Sequence, residues 1–120
     1  MLSPKQKQGL QAELRAKTFL QTQGLTALAE NISSPLGEID LLMAHQDQWV
    51  FIEVRQRSSM AFGGAAASIS FAKQQKLRRQ ALKILQDQFG ARTWPSMRFD
   101  VIAIEGSVDS GKINWIQNAF

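Results

Sequence analysis

One stretch limits what this chain can become more than any other: residues 37–57, GEIDLLMAHQDQWVFIEVRQR. From Glu38 to Ala44, apolar and polar residues alternate with the period of a strand. Ile39, Leu41 and Met43 are expected on one side, with Glu38, Asp40 and Leu42 on the other. The polar run His45-Gln46-Asp47-Gln48 reads as a turn, with His45 as a solvated turn residue. Trp49 to Val54 is rich in aromatic and β-branched residues and reads as a second strand. So short a connection makes the pair an antiparallel hairpin. Asp40 on one strand and Glu53 on the next then become neighbours. Glu53 shares its side with Arg55 and Arg57.

Two carboxylates on adjacent strands suit a divalent cation. Mg²⁺ and Mn²⁺ take oxygen ligands in octahedral geometry and leave positions open for water and phosphate. The backbone carbonyl of Val54 could add a ligand. A cation two residues from a ligand would lie within reach of a scissile phosphate. The same residues also describe an ordinary charged hairpin face, in which Glu53 and an arginine form an ion pair.

The flanking sequence places this hairpin in an α/β domain. Ser3-Pro4 is a helix start and Gly24 a stop, predicting a helix from Pro4 to Gln23. Its apolar stripe is read as Leu10, Leu14 and Leu20. Glu13 falls inside that stripe, an acid that reads as a boundary residue paired with Lys17. Leu25 to Ile32 reads as a strand that breaks at Ser33-Ser34-Pro35. Residues 56–67 read as a substrate-contacting loop. A second helix, capped by Ser68 or Ser70, runs to about Gln88 and ends at Gly90. Phe71, Leu77, Ala81, Leu82, Ile84 and Leu85 form its apolar side. Lys76, Arg79 and Lys83 lie opposite, with Lys73 at the edge. Arg98 to Glu105 and Lys112 to Gln117 are further strands, with residues 108–111 as a turn. A crossover through the second helix should make Trp49–Val54 and Arg98–Glu105 parallel. The expectation is one domain over residues 1–120, a central mixed sheet of about five strands flanked by helices.

Composition narrows the functional classes. The chain has no cysteine, which excludes disulfides, thiol catalysis and cysteine-based zinc sites. No apolar run approaches the roughly 18 residues that span a bilayer. The opening MLSPKQKQGLQAE lacks the apolar core of a secretory signal, so a cytoplasmic protein without a membrane partner is expected. The net charge of +4 is a mild excess. Its placement says more, because Ile69 through Gln86 contains no acid. A basic helix side is usually a solvated face, but one without acids can also hold a phosphate backbone.

The spacing of Gly37, Glu38, Asp40, Glu53 and Arg55 resembles the YraN-like family of bacterial proteins. Supporting similarity lies in Gly9–Ala16 (GLQAELRA), Phe62-Gly63, Lys73 and Arg98-Phe99-Asp100-Val101. That family resembles the restriction-endonuclease-like, or PD-(D/E)xK, superfamily and the archaeal Holliday junction resolvases. The resemblance implies a restriction-endonuclease-like fold and a metal-dependent nuclease acting on DNA, branched or junction DNA among its substrates. Glu13, Asp40 and Glu53 would hold Mg²⁺ or Mn²⁺ and should then converge on one point. Arg55 would complete the catalytic set. Arg57, Lys73, Lys76, Arg79 and Lys83 would contact the nucleic acid, and a homodimer would be the expected assembly. The superfamily pattern has lysine where this chain has Arg55. Arginine can neutralise a phosphate but cannot practically give up a proton to act as a base. Two further readings therefore stay open: a nucleic-acid-binding module of the same fold without cleavage, and a protein-interaction domain.

Overall fold

Ser3 opens the first helix, α1 (Pro4–Thr22), with a reciprocal cap. Its hydroxyl accepts from the Gln6 amide, and the Gln6 side chain accepts from the Ser3 amide. Five strands follow around a second helix: β1 (Thr26–Ser34), β2 (Gly37–His45), β3 (Gln48–Arg57), α2 (Phe71–Phe89), β4 (Ser96–Glu105) and β5 (Lys112–Ile116). The computed structural model describes residues 1–58 and 69–120. Most of the expected 56–67 loop, with Phe62 and Gly63, therefore lies outside the described residues.

The sheet has the order β1-β2-β3-β4-β5. β1, β2 and β3 form an antiparallel meander. β3 and β4 are parallel, paired from Gln48↔Ser96 to Arg57↔Glu105, and β5 returns antiparallel. This is the mixed five-stranded sheet expected from the sequence. The crossover between β3 and β4 carries α2, as a parallel pair demands.

Each face of the sheet buries one helix. On one face Ala12, Ala16 and Leu20 of α1 meet Leu41, Met43, Val50, Ile52, Ile102 and Ile104. On the other, Leu77, Ala81 and Leu85 of α2 meet Ile39, Leu42, Phe51 and Phe99. Trp49, Trp94 and Trp115 pack at the edges of these clusters, consistent with boundary roles. Among the described residues no helix is long and apolar enough to cross a membrane.

Three expectations about burial are corrected. The α1 stripe is Ala12, Ala16 and Leu20, whereas Leu10 and Leu14 are exposed. At about 100° per residue, Leu10 and Leu14 fall roughly opposite Ala12. The small alanines let the helix lie close to the sheet. On α2, Phe71 and Leu82 are exposed, and Gln80 is buried in their stead, accepting a hydrogen bond from Ser34. On β2, Ile39 packs beneath α2 with Leu42, while Leu41 and Met43 pack beneath α1. The strict alternation therefore breaks at Asp40. Opposite it in β1 sits Asn31, which carries a left-handed φ of 48° between the pairs Glu30↔Leu41 and Ile32↔Ile39.

Candidate active site

The break at Asp40 lies at the end of the sheet where β2 and β3 part. Their pairing runs from His45↔Gln48 to Leu41↔Ile52. Beyond Leu41 the Asp40 side chain replaces the ladder, accepting a hydrogen bond from the Val54 amide at 2.9 Å. The hairpin register thus brings Asp40 beside Glu53, as the sequence predicts. β3 continues three residues beyond the expected end, through Arg57, and carries the two arginines past the acids.

Glu53 is buried at 6% exposure. Its Oε1 lies 3.3 Å from Arg55 Nη2 and 3.9 Å from Lys73 Nζ. Lys73, in the first turns of α2, therefore points at the acids and does not belong to the basic outer side. Two buried polar atoms in this group have no hydrogen-bond partner among the described residues. They are Glu53 Oε2, an acceptor, and Arg55 Nε, a donor.

Glu13 reaches the same region from α1. Lys17 does not pair with it but with Glu30, at 3.0 Å. The partner of Glu13 is Asn31. With its amide nitrogen turned to the carboxylate, Asn31 donates to both Glu13 oxygens at 2.9 and 2.8 Å. Asn31 is a site residue that sequence reasoning missed. A weak β-former that tolerates left-handed backbone, in the middle of a strand, was its only signal.

The acids perturb one another. Burial pushes the Glu13 carboxyl up to about 7, helped by Asp40, Glu38 and Glu30. Burial likewise raises Glu53 to about 7, with Asp40 adding to the rise and Lys73 and Arg55 opposing it. Asp40 is also raised by burial, against the lowering effect of the Val54 hydrogen bond. Glu13, Asp40 and Glu53 are thus neighbours whose charges cost free energy together. They do not close around one point: among the described residues, no three His, Asp or Glu side chains form a metal-binding group. Each acid is turned to the protein partners named above. Even so, the donor set suits a hard cation. It consists of carboxylate oxygens, one of them buried and unpartnered.

A cleft of about 240 Å³ opens beside the acids. Lys5, Gln8, Gly9, Ala12 and Glu13 of α1 line one wall, and Val54, Arg55, Gln56 and Arg57 of β3 line the other, with Asp40 between them. Arg57 is exposed there. Lys76, Arg79 and Lys83 lie on the exposed side of α2 and do not line the cleft. Lys83 is paired with Asp87 at 3.2 Å.

The remaining correction concerns His45. It is not a solvated turn residue: its Nδ1 lies 3.1 Å from Arg98 Nη2. Arg98 in turn binds Asp100 with two nitrogens, at 2.9 Å each. This cluster lies at the other end of β2, away from Asp40.

A sequence profile described as "Uncharacterised protein family UPF0102" matches residues 12–104. The chain belongs to the UPF0102 family. It is 49% identical to a UPF0102 protein of Saccharophagus degradans over 112 residues, covering 93% of this chain and 91% of that one. A Serratia proteamaculans member is 46% identical over 108 residues, covering 90% and 89%. A Shewanella denitrificans member is 43% identical over 113 residues, covering 93% and 97%. The UPF0102 match spans Glu13, Asn31, Asp40, Glu53, Arg55 and Lys73. Lys5, Gln8 and Gly9 lie ahead of it.

Proposed function

We propose that this UPF0102 chain is a divalent-metal-dependent phosphodiester hydrolase acting on DNA, branched DNA included. The observation that carries this reading is the complementary pair of unpartnered atoms on Glu53 and Arg55. A buried acceptor and a buried donor on adjacent side chains call for two further groups of opposite charge. A cation on Glu53 Oε2 and a phosphate oxygen on Arg55 Nε would satisfy both. Asp40 and Glu53 would hold Mg²⁺ or Mn²⁺, and Glu13 would complete the set by leaving Asn31. The ion would acidify water and withdraw charge from the phosphate. Arg55 keeps its proton and stabilises negative charge on the phosphorane-like transition state. Lys73 holds Glu53 from the α2 side and balances the acids. A place in the restriction-endonuclease-like superfamily beside the resolvases, and a homodimeric assembly, are part of the same proposal.

A fluorescent four-way junction incubated with Mn²⁺ tests the proposal. Cleavage that disappears in Glu53→Ala supports it. An intact junction with wild type, across a panel of linear, flap and junction DNA, sinks it.

One observation favours a second reading, a DNA-binding module without turnover. Arg55 cannot act as a base, and it occupies Glu53 Oε1 with an ion pair. In that case affinity would fall with salt and with Lys76→Ala plus Lys83→Ala, while every substrate stayed whole in any metal.

A further inference from the structure

The inner face of α1 outruns the sheet it packs on. Lys5, Gln8, Gly9, Ala12 and Glu13 fall on the same side of the helix as Ala16. Ala12 and Ala16 are buried against the sheet, but Lys5, Gln8 and Gly9 are exposed and form a cleft wall. Lys5 stands about two turns, ~12 Å, from Glu13 along the helix. Arg55 and Arg57 line the facing wall, and the acids of the cleft are Glu13 and Asp40.

Gly9 has no structural reason to be glycine. Glycine is the least favourable helix-interior residue after proline. Gly24, Gly37, Gly90 and Gly106 have positive φ, and a Cβ at Gly111 would meet backbone at 2.5 Å. Among the described glycines, Gly9 alone has neither feature, and a Cβ there would meet nothing within 4 Å. The space it leaves belongs to the cleft.

We infer that this cleft seats the sugar–phosphate backbone of the DNA strand as it leaves the acids. Gly9 is the floor that lets the backbone approach α1, and Lys5 and Arg57 take a phosphate next to the reacting one. Gln8 donates from the same wall. This rests on the DNA-cleaving reading above. It adds a binding subsite near the start of α1 to a site built on β2, β3, α2 and Glu13 of α1.

Binding measured apart from cleavage separates the two ideas. Anisotropy of a labelled junction DNA, without divalent cation and over a series of salt concentrations, would be read for wild type, Gly9→Ala, Gly9→Leu and Lys5→Ala. Gly9→Ala should melt higher than wild type, because alanine is the better helix former, yet bind more weakly. Gly9→Leu should lose about tenfold or more in affinity, since a side chain fills the floor that a close backbone contact needs. Lys5→Ala should lower the slope of log affinity against log salt by about 0.7 to 0.9, the value of one phosphate contact. Leu14→Gln, on the far side of α1, should bind as wild type does. Gly9→Ala and Lys5→Ala test the inference even where Gly9→Leu fails to fold. Wild-type affinity and slope in these variants overturn it, with the nuclease reading intact. Losses as expected without cleavage in Mn²⁺ keep the subsite and remove the nuclease. A wild type that binds no DNA overturns the subsite and leaves the nuclease reading to the Mn²⁺ cleavage assay.

Discussion

At the scale of single residues, the site depends on a backbone distortion. Asn31 stands in a strand with a φ of 48°. Left-handed backbone disfavours residues with a Cβ by roughly 1–2 kcal/mol, least so for asparagine and aspartate. What Asn31 gains is the contact with Glu13 across the end of the sheet. The distortion falls opposite Asp40, where the alternation of β2 also breaks, so one irregularity aims acids from two elements at the same region. Asn31→Ala should therefore destabilise the protein by about 1–2 kcal/mol, through backbone strain and the lost hydrogen bonds. Asn31→Gly should relieve the strain but not restore the contact. Urea unfolding of both variants checks this, with glycine expected to be the milder change. A glycine variant as unstable as the alanine one would show that the backbone conformation at position 31 carries no strain.

At the scale of elements, the sequence was legible where a local signal decides the outcome. Ser3 and Ser70 cap the two helices, Gly24 and Gly90 follow their ends, and the polar turn after His45 sets the hairpin. It misled where burial depends on which neighbour an element meets. Leucines mark a stripe by size, but α1 packs through alanines, because close approach to the sheet requires small residues. The parity of β2 was misread for a similar reason: periodicity assumes an unbroken strand, and Asn31 breaks it. In the sequence Asp100 stands out only as part of a motif. It is fully buried on β4. It accepts from Arg98 on its own strand, from the Trp115 indole on β5 at 2.9 Å, and from the Asn118 amide at 2.9 Å. Arg98 extends this network to His45 and Gln48 at the β2–β3 turn. Two strands and the C-terminal residues thus share one carboxylate, and Arg98 ties it to two more. Removing one partner of a buried pair leaves an uncompensated charge and costs about 3–5 kcal/mol. Asp100→Ala should lose stability on that scale in urea unfolding. Arg98→Ala and the double variant should be far from additive. Additive losses would show that the two residues act independently.

At the scale of the whole molecule, the clustered acids couple stability to pH and, under the proposed function, to a bound cation. Glu13 and Glu53 have an ordinary carboxyl value of 4.5 and are raised to about 7 in the fold. Below pH 4.5 both states are protonated and these groups contribute no difference. Between 4.5 and 7 the unfolded chain releases the protons that the folded chain keeps, so stability falls as pH rises. Above 7 both states are ionised and the loss is complete. The ionised Glu13 and Glu53 then both interact with Asp40, with Arg55 and Lys73 as the cations acting on Asp40 and Glu53. A divalent cation that binds the ionised acids competes with those protons, so its stabilising effect should grow over the same pH window. Thermal melts across this window should show wild type losing melting temperature in a chelator, and less of it in Mn²⁺. Other carboxyl groups titrate as well, so the decisive comparison is with Glu53→Gln, which carries no proton to lose. That variant should have a flatter pH dependence in chelator and respond less to Mn²⁺. Parallel pH profiles for the two proteins would separate the acids at the sheet end from the stability of the fold. An equal Mn²⁺ shift in both would place any cation site away from Glu53.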